Sequence, residues 1–163
     1  SKLGLMIKSK TIFDSDIALS HSLINSSLQQ FCRPKLKPKF LKKILKTRTN
    51  KSIKMIGCTD SSDGLFQALL DLATESNCKA IIDYAKVPKH KNWPTGNKWD
   101  EYYFFGGEDY ELVFSLPRKW ANNLLNEDKT ITEIGYFLEG DVSVDFKNCD
   151  NKNLFKNKSF SHF

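Results

Sequence analysis

Two stretches in the first third of the chain have the hydrophobic spacing of amphipathic helices. In residues 14–31 apolar side chains recur about every three or four positions, at Ile17, Leu19, Leu23, Ile24, Leu28 and Phe31. Asp14 or Ser15 is suited to cap the start of this helix. Pro34 and Pro38 interrupt the pattern, and the segment "FLKKILKT" predicts a second, short helix.

A short apolar run, an acidic turn and a helical pattern follow one another in residues 53–77. "IKMIGCTD" predicts a buried strand, because a short apolar run ends there at a cap signal. The next apolar residues fall on one face of a helix: Leu65, Phe66, Leu69, Leu72 and Ala73. Ser76 and Asn77 are suited to end that helix. Strand, acidic turn and helix thus form one predicted unit.

The second half of the chain alternates strand patterns with one helix and one long loop. Strands are predicted within "CKAIIDY", "GGEDYELVFSLP", "ITEIGYFLEG" and "VSVDF". "RKWANNLLNED" predicts a short helix, whereas residues 86–101 predict a long polar loop and the Asn- and Lys-rich tail an irregular segment. Helices interspersed with strands indicate an α+β (α/β mixed) fold with a mixed β-sheet flanked by helices.

Length and composition limit the class of protein. With 163 residues and a hydrophobic fraction of 40%, we expect a single domain over residues 1–163. No apolar run approaches the roughly 20 residues that cross a bilayer, and the first residues lack a signal-peptide pattern. The four cysteines are scattered, which argues against a zinc site or a disulfide scaffold. We therefore expect a soluble, cytoplasmic protein with no membrane partner.

The net charge of +6 makes a polyanion such as nucleic acid a candidate binding partner. The basic segment, residues 33–54, has many Lys and Arg residues and no Asp or Glu. It is interpreted either as a solvated surface or as a non-catalytic module that binds RNA or another polyanion. Proteins that bind single strands place aromatic side chains among the basic ones, and here Phe40 is the only one. This argues against nucleic acid as a partner.

The first cluster of candidate functional residues is "DSSDG", residues 60–64. Asp60 and Asp63 lie between the predicted strand and helix, where either carboxylate can cap the helix N-terminus. One cap needs only one such side chain, and Gly64 leaves room for a phosphate to approach the backbone. Mg²⁺ prefers hard oxygen ligands and keeps substrate phosphates in its shell. Two interpretations stay open, helix capping and a metal–phosphate site.

The second cluster is "GGEDYEL", residues 106–112. Paired glycines before acids can form a tight turn that directs Glu108 or Asp109 at a cleft. The same pattern is also typical of a solvated strand entry. From spacing alone, the two clusters indicate no more than a phosphate or cation site.

Both clusters together resemble the C-terminal half of the thiamine-monophosphate kinase family, within the superfamily that includes aminoimidazole ribonucleotide synthetase. The similar segments are "DSSDGL", "AIIDYAKVP" and "GGEDYEL" in that order, with "RPKLKP" upstream and "FSHF" at the end. They span nearly the whole chain. The first motif is shared by superfamily relatives, whereas the glycine-rich motif and the ending are more specific to the kinase.

The resemblance implies ATP-dependent phosphorylation of thiamine phosphate to thiamine diphosphate, with Mg²⁺ and a monovalent cation such as K⁺. By position in the motifs, Asp60 and Asp63 match Mg²⁺ ligands, with Asp63 as the catalytic residue, and Ser62 matches an ATP contact. Glu108 matches a contact to the cationic thiamine, and Phe160 matches a terminal aromatic residue that packs on the substrate rings. Phosphoryl transfer of this kind depends on alignment and charge neutralisation.

Two departures from the family pattern affect whether this chain is expected to be catalytically active. Ser61 stands where the family usually has an aliphatic residue, which is expected to change strand packing more than chemistry. The resemblance also implies an N-terminal domain that supplies much of the nucleotide and metal shell and a homodimer interface. No segment here corresponds to it, since "SKLGLMI" resembles the start of the second domain. We therefore expect this half to be inactive alone. Another ATP-dependent enzyme of the superfamily is the alternative assignment.

Overall fold

The computed structural model describes residues 2–8, 19–34, 38–48, 56–149 and 155. Its helices are α1 (Lys2–Lys8), α2 (His21–Cys32), α3 (Pro38–Lys46), α4 (Leu65–Glu75), α5 (Asn97–Phe105) and α6 (Arg118–Glu127). Its strands are β1 (Gly57–Asp60), β2 (Lys79–Asp83), β3 (Leu112–Ser115), β4 (Gly135–Leu138) and β5 (Ser143–Lys147). One turn of 3-10 helix, Tyr84–Lys86, follows β2.

The strands of the described residues form two sheets. Strand β1 pairs with β3 in an antiparallel ribbon, with Gly57 opposite Ser115 and Asp60 opposite Leu112. Strand β2 is central in the other sheet, antiparallel to β4 and parallel to β5. The predicted α+β class, a mixed sheet flanked by helices, is confirmed. The β1–β3 pair is a separate ribbon beside that sheet.

The main core lies between α4 and one face of the mixed sheet. Phe66, Leu69 and Ala73 are spaced three and four residues apart, so they share the helix face that packs on the sheet. Alternate strand residues, Ala80 and Ile82 among them, are buried beneath this face. The predicted strand, turn and helix unit is therefore anchored by its apolar helix face, which holds the start of α4 beside the end of β1.

Two smaller clusters fix the outer helices. Leu3 of α1 and Leu23 of α2 pack with Trp99 of α5. Ile44 of α3 packs with α6, where the Trp120 Nε1–H donates a 2.8 Å hydrogen bond to the Ile44 carbonyl oxygen. One cluster thus joins α1, α2 and α5, and the other joins α3 to α6.

Several residues of the basic segment make contacts within the fold. The Lys43 ammonium lies 2.8 Å from the Asp128 carboxylate, and that of Lys46 lies 3.2 Å from Glu127. The Phe40 ring packs on a ring of β3 at a centroid distance of 5.3 Å. Because its aromatic residue and two of its lysines have partners in the fold, these contacts give no support to the polyanion-binding hypothesis.

Two local predictions are wrong. The predicted long loop ends at Gly96, and α5 follows it; the aromatic residues of α5 are spread around the helix, so the pattern lacks a single apolar face. Helix α2 begins at His21, where Ser20 Oγ accepts a hydrogen bond from the Leu23 N–H. The helix therefore starts later than predicted, and the caps proposed for it, Asp14 and Ser15, lie outside the described residues.

Among the described residues, no helix combines the length and the apolar character needed to span a membrane. Of the residues after Cys149 only Phe155 is described, and it is buried in the main core. Most of the predicted irregular tail, and the substrate contact assigned to Phe160, therefore lie outside the described residues.

Candidate active site at the junction of the two acidic motifs

The β1–β3 ribbon brings the two acidic motifs into direct contact. Beyond the last ladder pair, Ser61 N–H donates a 2.9 Å hydrogen bond to the Glu111 carbonyl oxygen. The Glu111 N–H donates in return to Ser61 Oγ at 3.1 Å. Glu108 N–H then donates to the Ser62 carbonyl oxygen at 2.7 Å. These bonds hold "DSSDG" and "GGEDYEL" against each other although residues 65–105 separate them in the sequence.

Close backbone approach shapes the glycine-rich turn. Gly107 has φ +65°, and a Cβ atom at this position would lie 2.4 Å from the Ser62 carbonyl oxygen. Glu108 and Tyr110 have φ +61° and +52°, in the left-handed region that residues with side chains rarely adopt. Such conformations cost free energy and cluster at functional sites, where the surrounding structure holds them in place. The turn is thus held in an unusual conformation that presents Glu108.

The two carboxylates of the first motif are exposed and do not cap α4. The N-cap of α4 is Gly64, which has no side-chain cap hydrogen bond. Asp60 Oδ1 instead accepts a 2.9 Å hydrogen bond from the Ser62 N–H. Hydrogen bonds from the Ser62 side chain and backbone lower the pKa of Asp60, so this carboxylate is ionised at neutral pH. Of the two interpretations left open by the sequence, helix capping is wrong.

Tyr110 joins the acidic residues. Its hydroxyl donates a 3.0 Å hydrogen bond to Glu108 Oε2. This bond raises the pKa of Tyr110, and the negative charges of Glu108, Asp60 and Asp63 add to the rise. The Glu108 N–H donates to the carbonyl oxygen of Ser62, which lies between Asp60 and Asp63 in the sequence. Asp60, Asp63, Glu108 and Tyr110 are therefore grouped at the junction of the two motifs and are here called the acidic face.

The donors of the acidic face fit a Mg²⁺ ion that draws further ligands from elsewhere. Asp60 and Asp63 offer hard carboxylate oxygens, the ligand type that Mg²⁺ prefers. Within the described ranges, no three His, Cys, Asp or Glu side chains are grouped to hold a metal ion. Mg²⁺ commonly binds through one or two carboxylates, completing its shell with waters and substrate phosphates. Two carboxylates beside an open surface agree with that mode.

Relatives of the chain were found by sequence. No protein-family model matches it. The thiamine-monophosphate kinase of a Prochlorococcus marinus strain is 32% identical over 163 residues, which are 100% of this chain and 49% of that protein. The chain belongs with the C-terminal half of the thiamine-monophosphate kinase family. The kinase of Buchnera aphidicola subsp. Schizaphis graminum is 29% identical, again over 100% of this chain and 49% of its own length. The chain thus spans about half the length of the curated relatives it matches.

Solved structures agree with this assignment. A thiamine-monophosphate kinase from Stenotrophomonas maltophilia K279a has the same fold, with a TM-score of 0.67 at 20% identity over 88% of this chain and 45% of that one. AaThiL complexed with AMPPCP and TMP matches with a TM-score of 0.63 at 25% identity, over 93% of this chain and 46% of that one. The fold implied by the resemblance is therefore confirmed.

The departure from the kinase pattern at Ser61 has a structural role in this chain. Ser61 is buried, and its hydroxyl accepts the hydrogen bond from the Glu111 N–H described above. An aliphatic side chain cannot make this bond. The serine therefore adds a polar link between the two motifs, a contact that the sequence pattern did not reveal.

We expect Ser61→Ala to lower the free energy of unfolding by about 1–2 kcal/mol, because it leaves the Glu111 N–H without its acceptor. Equilibrium denaturation in urea measures this change. Ser143→Ala is the matched control, since the buried Ser143 Oγ has no hydrogen-bond partner in the described part of the chain. The control should be neutral or slightly stabilising. Equal losses in both variants would contradict the role given to the Ser61 hydroxyl.

The structure unites four of the five site residues predicted from the sequence. Asp60, Ser62, Asp63 and Glu108 all belong to the junction of the motifs, although their individual roles stay predictions. Tyr110 was missed because an exposed tyrosine before a strand carries no distinctive pattern. Its position two residues after Glu108, in a glycine-rich turn, was the available signal.

Asp109, to which the resemblance gives no role, lies beside α2. Its carbonyl oxygen accepts a 2.7 Å hydrogen bond from Gln30 Nε2 of α2, and its side chain lines a cavity beside that helix. Burial raises the pKa of Asp109, and the neighbouring charges of Glu111 and Glu108 also raise it. Adjacent carboxyls of one motif thus have different surroundings.

Proposed function

We propose that the chain acts as the C-terminal half of a thiamine-monophosphate kinase, a transferase that uses ATP to convert thiamine phosphate to thiamine diphosphate. The observation that carries the proposal is the junction at which the Glu108 N–H bonds the Ser62 carbonyl oxygen, because it gathers the acidic residues of both motifs. The names of the relatives and the complex of AaThiL with AMPPCP and TMP, an ATP analogue and a substrate, support this proposal.

In the proposed reaction, this half of the enzyme holds charged groups next to the phosphates that react. Asp60 and Asp63 would hold Mg²⁺, which neutralises phosphate charge when bound. Ser62, whose backbone and side chain already orient Asp60, would contact ATP. Asp63 is the proposed catalytic residue through its contact with the metal. A monovalent cation such as K⁺ is a further part of the proposal.

Glu108 and Phe160 are the proposed contacts on the thiamine side. Thiamine phosphate carries a cationic thiazolium ring, which a carboxylate can pair with. Tyr110 orients Glu108 through the 3.0 Å hydrogen bond between them. A preorganised carboxylate needs less reorganisation when a cation binds, which favours binding. Phe160 would pack on the substrate rings.

The proposal also includes partners for this half. Two exposed carboxylates leave several metal ligands to be supplied, and the relatives are about twice as long as this chain. We propose that an N-terminal domain, as in the relatives, completes the nucleotide and metal shell, and that the full enzyme is a homodimer. The isolated half would then be inactive. The reaction would take place in the cytoplasm, where ATP is available.

The test is a hybrid kinase in which this chain replaces the matched C-terminal half of the Prochlorococcus marinus enzyme. We expect ATP-dependent formation of thiamine diphosphate from thiamine phosphate by the hybrid and none by the isolated chain. A second hybrid, with the corresponding half of the Buchnera aphidicola kinase, controls for the exchange itself. A panel of other phosphate acceptors distinguishes related ATP-dependent enzymes. A folded hybrid that lacks activity while the control hybrid is active would overturn the proposal.

A further inference from the structure

The β1–β3 ribbon has two faces, one of which packs on the main core. Val113 of β3 contacts that core, and a Cβ atom at Gly57 of β1 would lie 2.9 Å from the Leu72 side chain of α4. Successive residues of a strand alternate between faces, and directly opposite residues of a pair share one face. The other face, here called the ribbon face, therefore carries Cys58 opposite Phe114 and Asp60 opposite Leu112.

The ribbon face is covered at one end and exposed at the other. The Phe114 ring packs on Phe40 of α3, with ring centroids 5.3 Å apart. At the other end the Leu112 side chain is 46% exposed, and Cys58, diagonal to it, is exposed as well. Exposed apolar groups bordered by polar ones are typical of surfaces that contact another protein.

The exposed end of the ribbon face is continuous with the acidic face, because Asp60 belongs to both. In the proposed function Asp60 holds Mg²⁺, and an N-terminal half supplies further groups to the metal shell. Those groups must approach from the side of the ribbon on which the Asp60 side chain lies. Leu112 lies on that side too, and directly opposite residues of a strand pair are only about 5 Å apart. A half that reaches the metal shell therefore also covers Leu112.

A second copy of this chain fits the exposed end poorly. In a two-fold contact centred on Leu112, Asp60 of one copy would lie near Asp60 of the other. Like charges brought together across an interface oppose association. An N-terminal half that supplies groups to a metal shell brings no such repulsion, so the charges favour it as the occupant.

We propose that the exposed end of the ribbon face, centred on Leu112, is the surface on which an N-terminal half of the kinase packs. The inference rests on the proposed function and adds the place of the contact between the halves. Contacts of this kind combine an apolar centre with a polar rim, and Leu112 beside Asp60 offers both. Leu112 and Cys58 are then buried in the full enzyme.

The rate at which N-ethylmaleimide alkylates Cys58, followed by mass spectrometry of peptides, measures whether the ribbon face is covered. The isolated chain is compared with the hybrid kinase, without Mg²⁺ or ATP. We expect Cys58 to react about tenfold more slowly in the hybrid, as it would if the face were open about one-tenth of the time. Cys32, exposed at the end of α2, is the internal control and should react equally fast in both. A folded hybrid in which Cys58 is slowed no more than Cys32 would overturn the proposal.

Leu112→Gln in the hybrid tests the apolar contact itself. We expect faster alkylation of Cys58 than in the parent hybrid, because the polar side chain gains less from burial. Leu138→Gln is the matched control, since Leu138 is 49% exposed but lies on β4 of the other sheet. It should leave Cys58 as slow as in the parent. Denaturant unfolding of both variants in the isolated chain checks that folding is unaffected. Equal Cys58 rates in the two variant hybrids would contradict the role of Leu112.

A second copy is the alternative occupant, and the isolated chain tests it. Alkylation of Cys58 would then slow as the protein concentration rises, with a matching increase in mass by light scattering. That result would overturn the proposal, whereas a rate independent of concentration supports it.

The hybrid kinase also distinguishes failure of this inference from failure of the proposed function. An active hybrid in which Cys58 reacts as fast as in the isolated chain would refute the contact and leave the kinase assignment standing. A folded hybrid that is inactive, beside an active control hybrid, but protects Cys58 would refute the kinase assignment and leave the contact surface standing.

Discussion

Replacing Asp63 by Asn in the hybrid kinase is expected to lower kcat about 100-fold or more. The substitution keeps the size of the side chain but removes a negative charge and a metal-binding carboxylate oxygen. Loss of one preorganised electrostatic group at a reacting centre commonly has an effect of this size. Steady-state assays at several Mg²⁺ concentrations should also show that more Mg²⁺ is needed for half-maximal activity. The loss should therefore be partly relieved at high Mg²⁺.

The matched control for this experiment is Asp71→Asn. Asp71 is exposed on α4, the helix that follows the acidic motif, and accepts a 2.7 Å hydrogen bond from Gln67 Nε2. The same change in charge eight residues away should leave kcat and the Mg²⁺ dependence close to those of the parent hybrid. Unchanged turnover and Mg²⁺ dependence in Asp63→Asn would reject its role as a metal ligand.

Local patterns in the sequence predicted the elements whose apolar residues face one side. Helix α4 was predicted because Phe66, Leu69 and Ala73 recur at helical spacing, and these residues pack on the mixed sheet. Helix α5 was missed because Trp99 and Phe104 are buried while other aromatic side chains lie around the helix, which blurs the period. Gly96 then looked like part of a loop, although it serves as the N-cap.

The candidate site depended on a contact that local patterns do not encode. The spacing within each motif was compatible with helix capping, with a solvated turn or with a ligand site. The pairing of β1 with β3 brings the two motifs together, because it carries the Ser62 carbonyl oxygen to the Glu108 N–H. Such pairing joins distant segments and is set by the packing of the whole fold. Only the resemblance to a known family linked the two motifs beforehand.

The expectation that this half is inactive alone stays a prediction, and the acidic face gives the physical reason for it. Its carboxylates are exposed, and Asp60 is oriented by Ser62 before any ligand is present. A site with two carboxylates can contribute to a Mg²⁺ shell but needs phosphates and further ligands to complete it. If Asp60 and Asp63 hold Mg²⁺ as proposed, other groups would have to complete its shell.

Gly64→Ala is expected to destabilise the fold by about 1–3 kcal/mol more than Gly96→Ala. Both glycines are helix N-caps with nearly the same backbone, φ 99° and ψ 154° at Gly64 and φ 115° and ψ 162° at Gly96. This region is almost exclusive to glycine, so each substitution costs about 1–3 kcal/mol in backbone strain. Denaturant unfolding of the two variants measures the difference.

The difference in stability between the two variants measures the close packing of Gly64, the N-cap of α4, against the end of α5. A Cβ atom at Gly64 would lie 2.9 Å from the Phe104 carbonyl oxygen, whereas one at Gly96 would meet no atom of the described residues within 4 Å. The Phe104 backbone leads within a few residues to Glu108, so Gly64→Ala in the hybrid kinase should also raise KM for thiamine phosphate. Equal stability of the two variants would show that the backbone at Phe104 moves away at little cost in free energy. The turn that presents Glu108 would then not depend on this packing.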